Sequence, residues 1–342
     1  MTYALLLAGG VGERFWPKSR LKEPKQFLRL EGKKSLIQLM AERLGGLIPR
    51  NRFYVVSLAS QRRRIHRELP FLKLSQVIGE PLGKNTASAI ALGTASILRK
   101  DPEAIVCVFP CDQWIADRRA FHRCLRQAIR RAKKGTSIVL LGVKPTRPEI
   151  GYGYIEAPRK GFVRKFIEKP PLARAKRLIR SKKILWNSGM FVFKASFLKE
   201  ALKKTSPRLL TLFASLTDRS VRRFYETIPF VSFDKGILER FSNIECIGTR
   251  FGWDDVGSWL SVARRVRPDH RGNRTLGAAV AVDAGHNLVI SNPKHLVGLF
   301  GVSNLAVVYT EEATLICPKE RLGRLKVFVE KLKRDRKFRS YL

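Results

Sequence analysis

Up to about residue 145 the chain alternates short apolar runs with amphipathic stretches. Residues 3–7 are apolar and stop at Gly9 and Gly10, the pattern of a buried strand that ends in a loop. Ser35 with Gln38 three residues on has the form of a capping box, and Leu36, Leu39, Met40 and Leu44 follow at helical spacing. Further strands are predicted at 53–57, 76–79, 104–109 and 137–143. Between them lie an Ala-rich helix reaching about residue 98 and a basic amphipathic helix at 118–134. Strand–helix alternation of this kind predicts an α/β fold: a doubly wound, mainly parallel, Rossmann-like sheet with ligands at the strand C-terminal ends.

The texture changes after Gly151. Strands are predicted at 154–157 and 162–168, with Pro170 and Pro171 stopping the second. Residues 185–191 read as an apolar strand interrupted by Asn187 and Ser188. Helices fill roughly 172–181, 195–203, 207–216 and 221–226, and residues 253–259 (WDDVGSW) read as a loop entering a helix. From Asn273 onward short strands at 279–282, 287–291, 297–300, 306–309 and 314–317 are punctuated by Gly, Asn and Asp, and a helix at 319–333 follows. The expected organisation is a large α/β domain at 1–268 and a small β-rich domain at 269–342.

Composition narrows the function classes. A chain of 342 residues can bury a full core. No apolar run approaches the roughly 20 residues of a membrane span, and no basic n-region opens the chain, so a soluble cytoplasmic protein without a membrane partner is expected. The net charge of +39 raises nucleic-acid binding. Yet the basic residues lie on nearly every predicted helix and gather into no arm, and no zinc-finger or RNP-type motif accompanies them. Nucleic acid is therefore not expected as the main partner, whereas a positive field draws in phosphorylated substrates. Five scattered cysteines and five histidines show no metal spacing; reduced thiols and no zinc site are expected.

The candidate chemistry starts at the loop after the first strand. Ala8, Gly9, Gly10 and Gly12 are followed by Arg14 and, further on, Lys25. A side-chain-free loop lets backbone N–H groups close on phosphate oxygens while fixed cations add attraction. A dinucleotide site is disfavoured, since no acidic ribose ligand follows the second strand. A Walker A loop is excluded, since Lys34 stands where Ser or Thr belongs. Asp112 closes an apolar strand and Asp255 follows Trp253 and Asp254 in a loop; separated carboxylates of this kind suit a sparsely ligated Mg²⁺.

The segment LLLAGGVGERFWPKSRLKEPKQ (5–26) closely resembles the signature of the sugar-1-phosphate nucleotidylyltransferase family, and its FWP and PKQF runs resemble the mannose-1-phosphate guanylyltransferase branch. The resemblance continues through 80–86, 109–112, 145–154, 166–170, 186–191 and 253–259. It implies transfer of GMP from GTP to mannose 1-phosphate, with Mg²⁺ held by Asp112 and Asp255. It implies that Gly9, Gly10 and Gly12 hold the nucleotide by backbone, that Arg14 and Lys25 grip the phosphates, and that Glu80, Asn85 and Thr86 face the purine. For the sugar it implies Glu168, Lys169 and Asn187, with Gly153 allowing close approach. Where the family usually reads Pro-Ala-Asp-His, this chain reads Pro-Cys-Asp-Gln, so Gln113 replaces an imidazole beside the metal. The same resemblance implies a β-helix-like tail and allows a homodimer. The alternatives are a sister enzyme with another base or hexose, and an inactive basic nucleic-acid-binding protein on the same fold.

Overall fold

The computed structural model describes residues 1–10, 12–30, 32–157, 161–214 and 216–342. Val11 of the glycine loop and Ser215 of the predicted helix 207–216 lie outside the described residues. By packing, the chain divides into two units, Met1–Gly9 with Ile37–Trp253, and Gly10–Leu36 with Asp254–Leu342.

The first unit is built on a nine-stranded sheet. Its strands are β1 (Thr2–Leu7), β2 (Phe53–Leu58), β3 (Val77–Glu80), β4 (Ile105–Pro110), β5 (Ile138–Val143), β6 (Tyr154–Glu156), β7 (Lys165–Ile167), β8 (Ile184–Lys194) and β9 (Ile244–Thr249). The order is β9-β5-β8-β4-β1-β2-β3, with β6 joining β8 and β7 outside it. The joins β1–β2, β1–β4, β2–β3 and β5–β9 are parallel. The long strand β8 runs antiparallel to both neighbours, β4 and β5. Strands with nearly continuous apolar sequence, such as β1, β4 and β5, are buried on both faces, as a sheet covered by helices requires.

Those helices are α1 (Leu36–Leu44), α2 (Arg62–Glu68), α3 (Thr86–Lys100), α4 (Arg118–Ala132), α5 (Leu172–Leu178), α6 (Ala195–Thr205), α7 (Pro207–Ala214) and α8 (Asp218–Thr227). The Ala-rich α3 buries Ala87, Ile90, Ala91 and Ile97 in a core shared with Leu5, Val56 and Val106. Register decides where function can sit. Leu7 of β1 lies opposite Val56 of β2 and Pro110 of β4, and Leu58 of β2 lies opposite Glu80 of β3. Gly9, Glu80 and Asp112 therefore leave the sheet at one edge. Asn187 on β8, opposite Gly142 near the end of β5, reaches the same edge.

In the second unit the loop after β1 forms short 3-10 turns at Glu13–Phe15 and Lys25–Phe27. α9 (Trp259–Ala263) and α10 (Leu325–Arg334) frame it. The rest is β10 (Arg274–Leu276), β11 (Ala279–Val282), β12 (Leu288–Ile290), β13 (Val297–Phe300), β14 (Leu305–Tyr309) and β15 (Thr314–Pro318). These make a four-stranded sheet, β10-β12-β14-β15, and a two-stranded one, β11-β13, stacked on a small core of Ala284, Val289, Leu299 and Val307. Phe15 packs edge-on against Trp259 at 5.1 Å and Trp16 lies 5.1 Å from Phe328 of α10. These rings are why the loop groups with the C-terminal residues and not with the strand that precedes it.

Several expected elements come out shorter or divided. The strand predicted at 162–168 is Lys165–Ile167, with Phe162 making only an isolated bridge to Glu245. The helix predicted at 319–333 is divided into a 3-10 stretch, Lys319–Arg324, and α10. Among the described residues no helix is long and apolar enough to cross a membrane.

Candidate active site

The glycine loop owes its path to backbone that few other residues adopt. Gly12 has φ +77, and a Cβ there would lie 2.5 Å from Lys25 Cβ and 2.9 Å from Ser19 Oγ. Gly12 thus lets the loop close on the segment that carries Lys25. A Cβ at Gly9 or Gly10 would meet nothing within 4 Å, and both residues are exposed. Arg14 is exposed. The Lys25 ammonium lies 5.6 Å over the Phe15 ring and donates to the Asp255 carbonyl at 3.2 Å.

The two adjacent aspartates of the WDDVGSW turn separate by their partners. Asp254 is 6% exposed; one oxygen accepts from the Val256 N–H at 2.9 Å and the other from Arg264 at 2.6 Å. Asp255 is half-buried and its Oδ1 accepts from the Gly257 N–H at 3.1 Å. Directly after them Val256, a β-branched residue, is held at φ +47, a strained backbone of the kind that clusters at functional turns. Asp254 is thereby engaged as a strut.

Asp112, half-buried, stands two residues beyond the end of β4. Its neighbour Gln113 is 5% exposed and both ends of its amide are spent. Nε2 donates to the Ser188 carbonyl at 2.5 Å and Oε1 accepts from Trp253 Nε1 at 3.0 Å. Gln113 therefore holds Trp253 and the Ser188 stretch of β8 against the end of β4. Among the described residues no group of three or more His, Cys, Asp or Glu side chains is placed to hold a metal alone. Single carboxylates such as Asp112 and Asp255 offer the hard oxygen donors of a cation that completes its shell with water and substrate oxygens.

Glu80, Asn85 and Thr86 lie together at the entry to α3. Asn85 has φ +73 and caps α3, its Oδ1 accepting from the Thr86 N–H at 2.8 Å. Glu80 is 5% exposed and accepts from Tyr225 at 2.9 Å and from Ser88 at 3.5 Å. Burial pushes its carboxyl up to about 7, against the two hydrogen bonds. Glu80 thus acts from within the fold, tying α8 to the start of α3. Thr86 Oγ1 accepts from the Phe233 N–H at 2.8 Å.

The residues expected around the sugar converge. A Cβ on Gly153 would lie 2.8 Å from Glu168 Oε2 and 3.4 Å from Asn187 Cβ, so only glycine admits both. Lys169, at φ +44, pairs with Glu168 at 2.9 Å. Asn187 donates from Nδ2 to Asp234 at 2.6 Å and accepts at Oδ1 from the Gly189 N–H at 3.0 Å. Sequence reading missed Asp234, which burial, and then the charge of Glu168, push up to about 6. It missed Arg147 as well, whose guanidinium lies 5.1 Å from the Trp186 ring and 5.7 Å from Tyr152. The sequence signal for Asp234 is an acid directly after an aromatic-rich run, FVSFDKG, at 230–236.

Residues 3–270 match the family described as Nucleotidyl transferase, and residues 277–332 match the MannoseP isomerase/GMP-like beta-helix domain. Alginate biosynthesis protein AlgA of Pseudomonas aeruginosa is 34% identical over 96% of this chain and 71% of its own length. A mannose-1-phosphate guanylyltransferase of Klebsiella pneumoniae is 33% identical over 98% of this chain and 75% of its own. A crystal structure described as mannose-1-phosphate geranyltransferase from Thermus thermophilus matches with a TM-score of 0.89 at 34% identity, covering 97% of this chain and 99% of that one.

Proposed function

We propose that this chain, which belongs to the nucleotidyl transferase family, transfers GMP from GTP to mannose 1-phosphate, giving GDP-mannose and pyrophosphate. The observation that carries the reading is identity spread over 98% of the chain with a relative named for that reaction. A phosphate oxygen of the sugar attacks the α-phosphorus of GTP; the bond from that phosphorus to the bridging oxygen breaks, and pyrophosphate leaves. Both reactants are anions, so the protein's task is to position them and neutralise charge, and no nucleophilic side chain is required.

In this reading the backbone at Gly9, Gly10 and Gly12 cradles the triphosphate. Arg14 meets the β- and γ-phosphates and Lys25 the reacting phosphates. Asn85 and Thr86 stand on the purine side with Glu80 bracing them. Glu168 and Asn187 take the sugar and Lys169 its phosphate, with Gly153 clearing their approach. Asp112 and Asp255 are the protein's carboxylates for Mg²⁺, which when bound neutralises phosphate charge and polarises the α-phosphate. The catalytic domain is 1–268, followed by the β-rich domain 269–342, and the expected setting is the cytoplasm.

The test is a pyrophosphate-release assay over a matrix of nucleoside triphosphates and sugar 1-phosphates with Mg²⁺. GTP with mannose 1-phosphate should give the highest kcat/KM. Turnover only with another pair, such as UTP or dTTP with glucose 1-phosphate, would move the protein to a sister activity. Tight, sequence-independent nucleic-acid binding with no pyrophosphate from any pair would overturn the enzyme reading.

A further inference from the structure

We propose that Asp234 is a specificity-determining residue that accepts a hydrogen bond from a hydroxyl of the sugar, acting beside Glu168 and Asn187. The inference deepens the reading of the sugar site given above and rests on it.

Asp234 opens a short π-helical turn, Asp234–Leu238, behind a fixed anchor. The preceding Phe233 is 1% exposed, and its ring lies 5.0 Å from Phe191 and 6.4 Å from Phe193, both on β8. Its N–H donates to Thr86 at 2.8 Å. The Asp234 backbone is thus pinned both to the strand that carries Asn187 and to the entry of α3. Helical segments with an extra residue per turn recur where a side chain must be re-aimed at a ligand.

The hydrogen bonds then settle how the Asn187 amide is oriented. The Asn187 amide cannot flip, since Nδ2 donates to Asp234 and Oδ1 accepts from the Gly189 N–H. One Nδ2 hydrogen remains for a ligand. Glu168 and Asp234 are both half-buried, and each feels the other's negative charge. Lys169 and the Asn187 amide offset that repulsion, and Lys169 is itself exposed and paired with Glu168. Two carboxylates crowded beside one amide form a set rich in acceptors and poor in donors. Burying such a set without donors is costly. The ligand chemistry that relieves it is a polyol presenting O–H donors, with a hydroxyl oxygen that accepts from Asn187. A phosphate, which brings only acceptors and negative charge, is repelled at that spot. Asp234 therefore reads the sugar's hydroxyl edge.

The test compares steady-state kinetics of wild type and Asp234→Asn, which keeps the acceptor for Asn187, on mannose 1-phosphate and its singly deoxygenated analogues. Asp234→Asn should raise the KM for the sugar phosphate at least tenfold and leave the KM for GTP within twofold. One deoxy analogue should lose tenfold or more in kcat/KM with wild type and lose little further with the variant, because its partner is already gone. Equal shifts in both KM values, or full additivity with every analogue, would overturn the assignment. If the variant is poorly folded by thermal melt, Asp234→Ser, which also lacks the carboxylate, replaces it under the same criteria. Failure of wild type to use mannose 1-phosphate would instead count against the parent reading; the same comparison is then made with the sugar phosphate it does use, and the split in KM decides for Asp234.

Discussion

A carboxylate 5% exposed holds its proton longer than one in water, and Glu80 is such a group, with burial pushing it up to about 7. In the unfolded chain it titrates near 4.5. Between those values the native state keeps a proton that the unfolded state has released, so stability is lost as pH rises through the window. The contribution is on the order of 3 kcal/mol. Glu80→Gln keeps the acceptor for Tyr225 and removes the titration, so in denaturant melts at pH 4.5 and pH 8 its stability should fall less than that of wild type; equal slopes would contradict the argument. A sharper contrast lies in the neighbouring pair. Asp254→Asn breaks the contact with Arg264 and should cost about 1–3 kcal/mol. Asp255→Asn should leave the melt nearly unchanged and reduce turnover roughly a hundredfold or more at saturating Mg²⁺. Near-normal turnover in Asp255→Asn would remove that carboxylate from the metal. Sequence could nominate Asp255 by its motif, but the strut role of Asp254 depends on an arginine ten positions away that no spacing rule singles out. Asp234 escaped notice for the same reason, since its meaning comes from a β8 amide 47 positions earlier in the chain.

Among the elements, strand β8 was legible as a strand, and its polar interruption was legible as a place of interest. Its direction was not. Apolar periodicity reports burial and is blind to whether a strand runs with or against its neighbours. The strand β1 and its glycine loop were read with the least ambiguity, because a run of buried residues ending in glycine leaves few alternatives. What the loop packs against was invisible, since Phe15 and Trp16 meet rings more than two hundred residues away. Gln113 shows how a departure from a family pattern resolves at this scale. Its amide joins the end of β4 to the carbonyl of Ser188 on β8 and to the indole of Trp253. Gln113→Ala would strand a buried indole N–H and a buried carbonyl, at about 1–3 kcal/mol each. The expected fall in stability is therefore about 2–6 kcal/mol by denaturant melt, with kcat falling as well because the stretch of β8 bearing Asn187 is loosened. A variant as stable as wild type would show that these bonds carry no net weight.

Over the whole molecule the dominant quantity is charge. Sixty-seven Lys and Arg against twenty-eight Asp and Glu give +39. Helix α4 illustrates how the excess is spread over surfaces that face water, with Arg130 and Arg131 in its last turn and further arginines along its length. Isolated surface ion pairs such as Arg222–Glu226 add little to stability, so the excess has to be understood through its field. Both proposed substrates are anions, and a net positive field of this size raises their local concentration. Screening shortens that reach to about 10 Å at 0.1 M salt. Encounter should therefore weaken as salt is added, while the chemical step, which takes place among groups already in contact, should not. For GTP with mannose 1-phosphate, kcat/KM is expected to fall several-fold between about 50 mM and 300 mM potassium chloride, with kcat constant within about twofold. A flat kcat/KM would mean that the surface charge does not act on substrate capture, and its cause would then have to be sought in what else the surface meets.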